Sequence, residues 1–170
     1  MLLLPILLLA CSCPDPTADD SAPADTNGGG GFDTSFNGTC SSGSEWTDGN
    51  RGSEKMNPGE ACTECHDRGE GPSFPVSGTV MGAIHDPDDC NGVKDVKVTI
   101  TDADGTDTVL TTNSAGNFFI DRGSVKTPYT AVIEANGVTR AMLGSQTNGD
   151  CNTCHSEDGT EGAPGRIVVP

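Results

Sequence analysis

Aromatic side chains are scarce in this chain: five Phe, one Trp and one Tyr make up 4% of 170 residues. Hydrophobic residues reach only 33%. Side chains alone therefore supply little material for a large core, and the length allows about one domain plus tails. Basic residues are also few, nine Lys and Arg against 25 Asp and Glu, for a formal net charge of −16. Nucleic acid and anionic lipid surfaces are themselves polyanions, so this balance argues against both as partners. It suits solubility, a high-salt habitat or docking to a basic protein. Long apolar runs are missing apart from residues 1–10, far short of the roughly 20 residues of a membrane-spanning helix. The chain has no Ser-His-Asp set, phosphate-binding loop or metalloprotease motif, and no carboxylate pair stands out. Any catalysis would need a cofactor.

One pentapeptide occurs twice: Cys62-Thr63-Glu64-Cys65-His66 and Cys151-Asn152-Thr153-Cys154-His155. Cys-x-x-Cys-His is the attachment pattern for c-type haem. Two thiols at this spacing reach the two vinyl groups of a porphyrin, and the adjacent imidazole then lies under the iron as axial ligand. A redox dithiol is the simplest other use of Cys-x-x-Cys, but it does not require His after both pairs. A single zinc held by four thiols is another. The 85 residues between Cys65 and Cys151 exceed the roughly 15 to 20 of a compact zinc module, although distant pairs can meet in a fold. The pattern predicts two c-type haems, with Cys62, Cys65, Cys151 and Cys154 as thioether positions and His66 and His155 as proximal ligands.

Residues 1–10 read as the apolar core of a signal peptide. The end of this run, Leu8-Leu9-Ala10-Cys11, resembles a bacterial lipobox. The resemblance implies cleavage before Cys11 and lipidation of its thiol. By likeness to lipoprotein sorting in Gram-negative bacteria, Ser12 implies the outer membrane, on its periplasmic or its cell-surface face. One departure is that no Lys or Arg precedes the apolar run, which leaves room for a start further upstream. A plain secretory signal with an ordinary Cys11 is the alternative. Residues 11–50 are rich in Pro, Asp, Gly and Ser, and between Pro14 and Asn50 there are seven acidic residues and no basic one. Such a stretch buries too little apolar surface to offset its ordering entropy, so it is expected to be a disordered, lipid-anchored tether.

Residues 51–75 carry the first haem motif in a loop-like setting, with Gly69, Gly71 and Pro72 ending any helix soon after His66. Residues 76–143 change character. Val96, Val98 and Ile100 alternate with Lys97, Thr99 and Thr101, the signature of a half-buried strand. Strands are also expected at 76–81, 108–111 and 117–120. Tyr129, Ala131 and Ile133 point inward along another, and Asn136-Gly137 gives a two-residue hairpin turn into a last strand at 138–143. The prediction is a mainly β fold: a small β-sandwich, expected to be separable from the flanking haem segments 51–75 and 144–170.

Ser77-Gly78-Thr79-Val80, Gly92-Val93, the run Val96-Lys97-Val98-Thr99-Ile100, the stretch from Thr111 through Ser114-Ala115-Gly116-Asn117-Phe118, and Tyr129 together resemble the carboxypeptidase regulatory-like domain. That family implies a transthyretin-like (Ig-like) sandwich acting as a structural or docking module. The chain departs from it between the first two strands, at Ala83-Ile84-His85-Asp86-Pro87-Asp88-Asp89-Cys90-Asn91. The C-terminal stretch, with its second motif and Gly-rich tail, resembles bacterial multihaem c-type cytochrome lipoproteins that combine haem motifs with such a sandwich. In that setting Arg166 would pair with a haem propionate, or else lie in a flexible tail.

His85, the only histidine outside the motifs, is a candidate distal ligand, with the haem on Cys62 and Cys65 as its expected site. Met142 and Met56 are weaker distal candidates, and Met81 reads as core filler. Setting aside the haem and lipid thiols leaves Cys13, Cys40 and Cys90. In an oxidising compartment Cys40 and Cys90 form the favoured disulfide, pinning the loop that holds His85. The acidic clusters at 86–89 and 102–107 do not fit the calcium-loop pattern and read as solvated charge. The sequence thus points to an exported dihaem electron carrier, served by basic redox proteins or other multihaem cytochromes. A haem peroxidase or reductase with an open iron, or a surface docking module, are the alternatives.

Overall fold

The computed structural model describes residues 38–47 and 52–170. The leader, Cys11, Cys13 and the tether up to residue 37 lie outside the described residues. The chain is mainly β with two sheets and few helical residues, an arrangement consistent with a β-sandwich. Its strands are β1 (Ser77–Met81), β2 (Lys97–Thr101), β3 (Asp107–Thr111), β4 (Asn117–Phe119), β5 (Thr130–Ala135), β6 (Val138–Ala141) and β7 (Ile167–Val168). One sheet has the order β3-β2-β5-β6 and is antiparallel throughout; the other is β4-β1-β7. Each Cys-x-x-Cys-His motif opens with a helical turn: α1 (Cys62–Cys65), which continues as a π-helical turn over His66–Glu70, and α2 (Cys151–Cys154). Among the described residues no helix is long and apolar enough to cross a membrane.

Alternation builds the four-stranded sheet. Val98 and Ile100 of β2 are buried while Lys97 is exposed. Ile133 of β5 and Tyr129 just before it turn to the same interior. The Asn136-Gly137 turn has φ of 52° and 78°, the left-handed pair that a two-residue hairpin needs. Asp102 makes the preceding turn by accepting from the backbone N–H groups of Asp104 and Thr106. Val76, Val80, Phe118 and Ile120 from one sheet and Val96, Val98, Ile100, Tyr129 and Ile133 from the other form one core cluster. Each of these large apolar side chains contributes about 1.5–3 kcal/mol by leaving water.

Strand β1 is buried along its whole length, on both faces. Val76 and Val80 look into the shared core, whereas Thr79 looks the other way. Its hydroxyl accepts from Gly59 N–H and from the Asn152 amide, and donates to Asn117 Oδ1. Segments from both haem motifs therefore cover the outer face of this strand.

Several expectations are corrected by these contacts. The C-terminal tail is not flexible: β7 pairs parallel with β1, Val80 opposite Ile167 and Met81 opposite Val168. The expected Cys40–Cys90 disulfide is present and ties the end of the tether to the inserted loop. Beyond that expectation, residues 38–47 are ordered, with Ser41 donating through N–H and hydroxyl to Asp86 and Trp46 N–H donating to Asp89 O. Closing that span of 50 residues stabilises the fold by about 4 kcal/mol in the chain-entropy account. Within the acidic loop at 86–89, Asp86 is not solvated charge, since it is buried and takes three hydrogen bonds, while Asp88 stays half exposed.

A boundary at residue 143 also cuts through the packing. Gly149 O accepts from Ser77 N–H, and Asn152 Oδ1 accepts from Thr79 N–H. A fragment of residues 73–145 keeps β1 to β6 but loses β7 and this cover, leaving buried β1 donors orphaned. It is expected to melt without cooperativity. A sharp thermal transition with β-type circular dichroism would show that the two sheets stand alone after all.

Candidate haem-attachment site

Single helical turns are unstable alone, because nucleation fixes several dihedrals for one hydrogen bond and leaves the first N–H groups unpaired. Here one carboxylate serves both turns. Asp150, 1% exposed, is the N-cap of α2 and accepts from Asn152 N–H at 3.2 Å. Its other oxygen accepts from Thr63 N–H at 2.7 Å and Thr63 hydroxyl at 2.8 Å, in α1. The α1 N-cap, Ala61, has no side chain that could do this. In return, the Asn152 side chain donates to Glu60 O just before α1, at 2.8 Å. Burial pushes the Asp150 carboxyl up from its ordinary range, and the donors from Thr63 and Asn152 pull it back.

Arg166 completes the junction. It is 3% exposed, and its guanidinium donates to Asp86 O at 2.9 Å and Gly59 O at 2.7 Å, with a longer contact to His155 O. It also pairs with half-exposed Asp88. Each of its side-chain nitrogens has a partner in the protein, so Arg166 is not part of a loose tail.

The three histidines share one arrangement. Nδ1 lies 2.6 Å from Pro72 O in His66, 2.9 Å from Gly165 O in His155 and 2.8 Å from Glu157 O in His85. A carbonyl oxygen only accepts, so each Nδ1 carries a proton, and in the neutral ring Nε2 then keeps its lone pair. That tautomer suits a histidine that binds metal through Nε2, with the ring oriented by the carbonyl on Nδ1. Gly71 secures the His66 ring, because a Cβ there would lie 2.6 Å from two ring atoms. Burial holds His155 below its ordinary pKa, which favours the neutral ring. His85 contacts Glu157, two residues beyond His155, so it stands beside the second motif.

Cys62, Cys65 and Cys151 are free thiols, each half-buried. Burial, helped by the Asp150 charge, pushes the Cys62 thiol up to about 11. Burial likewise pushes Cys151 up to about 12, with Tyr129 hydroxyl 3.9 Å from its sulfur. Redox-active dithiols depend on a lowered pKa, and these two thiols are shifted the opposite way. Cys154 is disulfide-bonded, so its sulfur must be reduced before it can form a thioether. Among the described residues no three or more His, Cys, Asp or Glu converge as a group that could hold a metal ion. An iron in a porphyrin needs only axial ligands from the protein. Met142 packs against the core cluster, Met56 is half-buried, and Met81 is fully buried.

Spacing alone misses Asp150, Thr63, Asn152 and Thr79. An Asp directly before a short helix is a recognisable N-cap signal, but nothing local announces that its second oxygen serves the other motif. No family model matches the chain, and no curated protein or solved structure matches it.

Proposed function

We propose that the chain is an exported dihaem c-type cytochrome that passes electrons one at a time. Cys62, Cys65, Cys151 and Cys154 are the thioether positions, and His66 and His155 the proximal ligands. The four sulfurs would hold the porphyrins as thioethers, a thiol addition to each vinyl group that is redox-neutral for Cys62, Cys65 and Cys151, whereas Cys154 would first need a thiol reductant to open its disulfide. The bound haems supply the ferric–ferrous couple; the protein orients their ligands and limits water access. The observation that carries this reading is the matched setting of His66 and His155, each with Nδ1–H on a backbone carbonyl and Nε2 left to bind iron.

The wider reading follows the same resemblance. The two sheets are those of a transthyretin-like, carboxypeptidase regulatory-like module that supports the haem segments. Lipidation at Cys11 anchors the chain to the outer membrane, and the net charge of −16 favours a basic redox partner or another multihaem cytochrome with a basic face.

The test is a visible spectrum of protein made in a host competent for haem attachment, with a pyridine haemochrome count. Two covalently bound haems per chain are expected, with c-type bands after reduction. Protein that is exported and folded yet carries no covalent haem would overturn the reading.

A further inference from the structure

We propose that Asp150 is a positioning residue for both haem sites, so that the first site depends on a carboxylate beside the second. The inference rests on the dihaem reading for its redox consequences; the coupling of the two turns rests on hydrogen bonds alone. Thr63 and Asp150 are 87 positions apart, and their paired contacts are 2.7 and 2.8 Å. The α1 turn has no cap of its own at Ala61. Its Thr63 N–H is satisfied by the same buried side chain that caps α2 through Asn152. Glu60 O, at the entrance to α1, is held by Asn152 from inside the second motif. Removing Asp150 therefore deprives α1 of its only side-chain cap acceptor. The cysteines and histidine of that motif then lose the turn that spaces them.

Asp150→Ser separates the local role from the distant one. Serine is a good N-cap and can still serve Asn152 N–H, but its shorter single hydroxyl cannot also hold the Thr63 pair. In the full-length protein, peptide mapping by mass should show haem retained on Cys151 and Cys154. Haem on Cys62 and Cys65 should fall several-fold, or remain with a displaced potential. Loss confined to the second motif, or an unchanged occupancy and potential at the first, would overturn the proposal.

Hydrogen exchange on the haem-free chain supplies a readout that needs no cofactor. Amides of residues 63–66 should exchange roughly tenfold faster in Asp150→Ser, the change expected from losing a cap worth about 1.4 kcal/mol. Equal exchange rates would sink the idea even if two haems are bound. If the wild-type protein binds no haem but the exchange effect appears, the coupling stands and the cytochrome reading fails. Thr63→Val guards against a variant that does not fold, since it removes only the hydroxyl from the other end. It should give a smaller effect at the same amides. Combined with Asp150→Ser, its effect should be less than additive, and full additivity would count against a shared contact.

Discussion

Arg166→Met is expected to destabilise the protein by about 3–5 kcal/mol, read as a fall in the midpoint of denaturant unfolding at constant slope. Methionine fills a similar volume, so the loss is one of hydrogen bonds and charge rather than of packing. The ion pair with Asp88 contributes little, because Asp88 is half exposed and water can take over. The cost comes from Asp86 O and Gly59 O, which lose buried donors held at 2.9 and 2.7 Å. Each orphaned carbonyl costs about 1–3 kcal/mol. Arg166→Lys should recover only part of this, since one ammonium cannot reproduce the planar fork that spans those directions. A midpoint within experimental error of wild type for Arg166→Met would mean that water satisfies the carbonyls and that the guanidinium is not the clasp described above.

His85→Ala is expected to turn about half of the haem high-spin in the dihaem protein, by vacating one sixth coordination position. The ring is held by its own Nδ1 contact to Glu157 O at 2.8 Å. Its loop is pinned by the Cys40–Cys90 disulfide, by Ser41 on Asp86, and by Arg166 N–H on Ile84 O at 2.8 Å. These contacts bring His85 beside the second motif, so the second haem stands as a rival site to the first, which the 19-residue distance to His66 favours. Single-haem proteins decide between the two. With Cys62 and Cys65 changed to Ser, only the second haem remains, and His85→Ala should make nearly all of it high-spin. With Cys151 and Cys154 changed instead, the spectrum should not move. The reverse pattern would restore His85 to the first haem. A fully low-spin spectrum in every background would remove His85 from the ligand set and turn attention to Met142 and Met56.

Most strands were legible because alternation is a local property. Val96, Val98 and Ile100 announce a half-buried strand wherever it is placed, and Asn136-Gly137 announces its turn. Strand β7 escaped because Ile167-Val168 is too short to show a period and follows a glycine-rich stretch. Its pairing with Val80 and Met81 exists only once the chain has folded back. The Cys40–Cys90 disulfide was legible from cysteine counting, but the polar contacts that order the rest of residues 38–47 were not, because their composition is that of disordered chain.

The two Cys-x-x-Cys-His motifs were legible in the sequence, since the pattern of two thiols and one imidazole lies within five consecutive residues. What joins the motifs was not. Asp150 meets Thr63 across 87 positions, Arg166 meets Gly59 across 107, and His85 meets Glu157 across 72. Each contact satisfies a backbone group that has no partner within its own segment. A short polar sequence does not state which distant side chain will supply that partner; the tertiary fold decides it, because only there are those groups removed from water and obliged to find one.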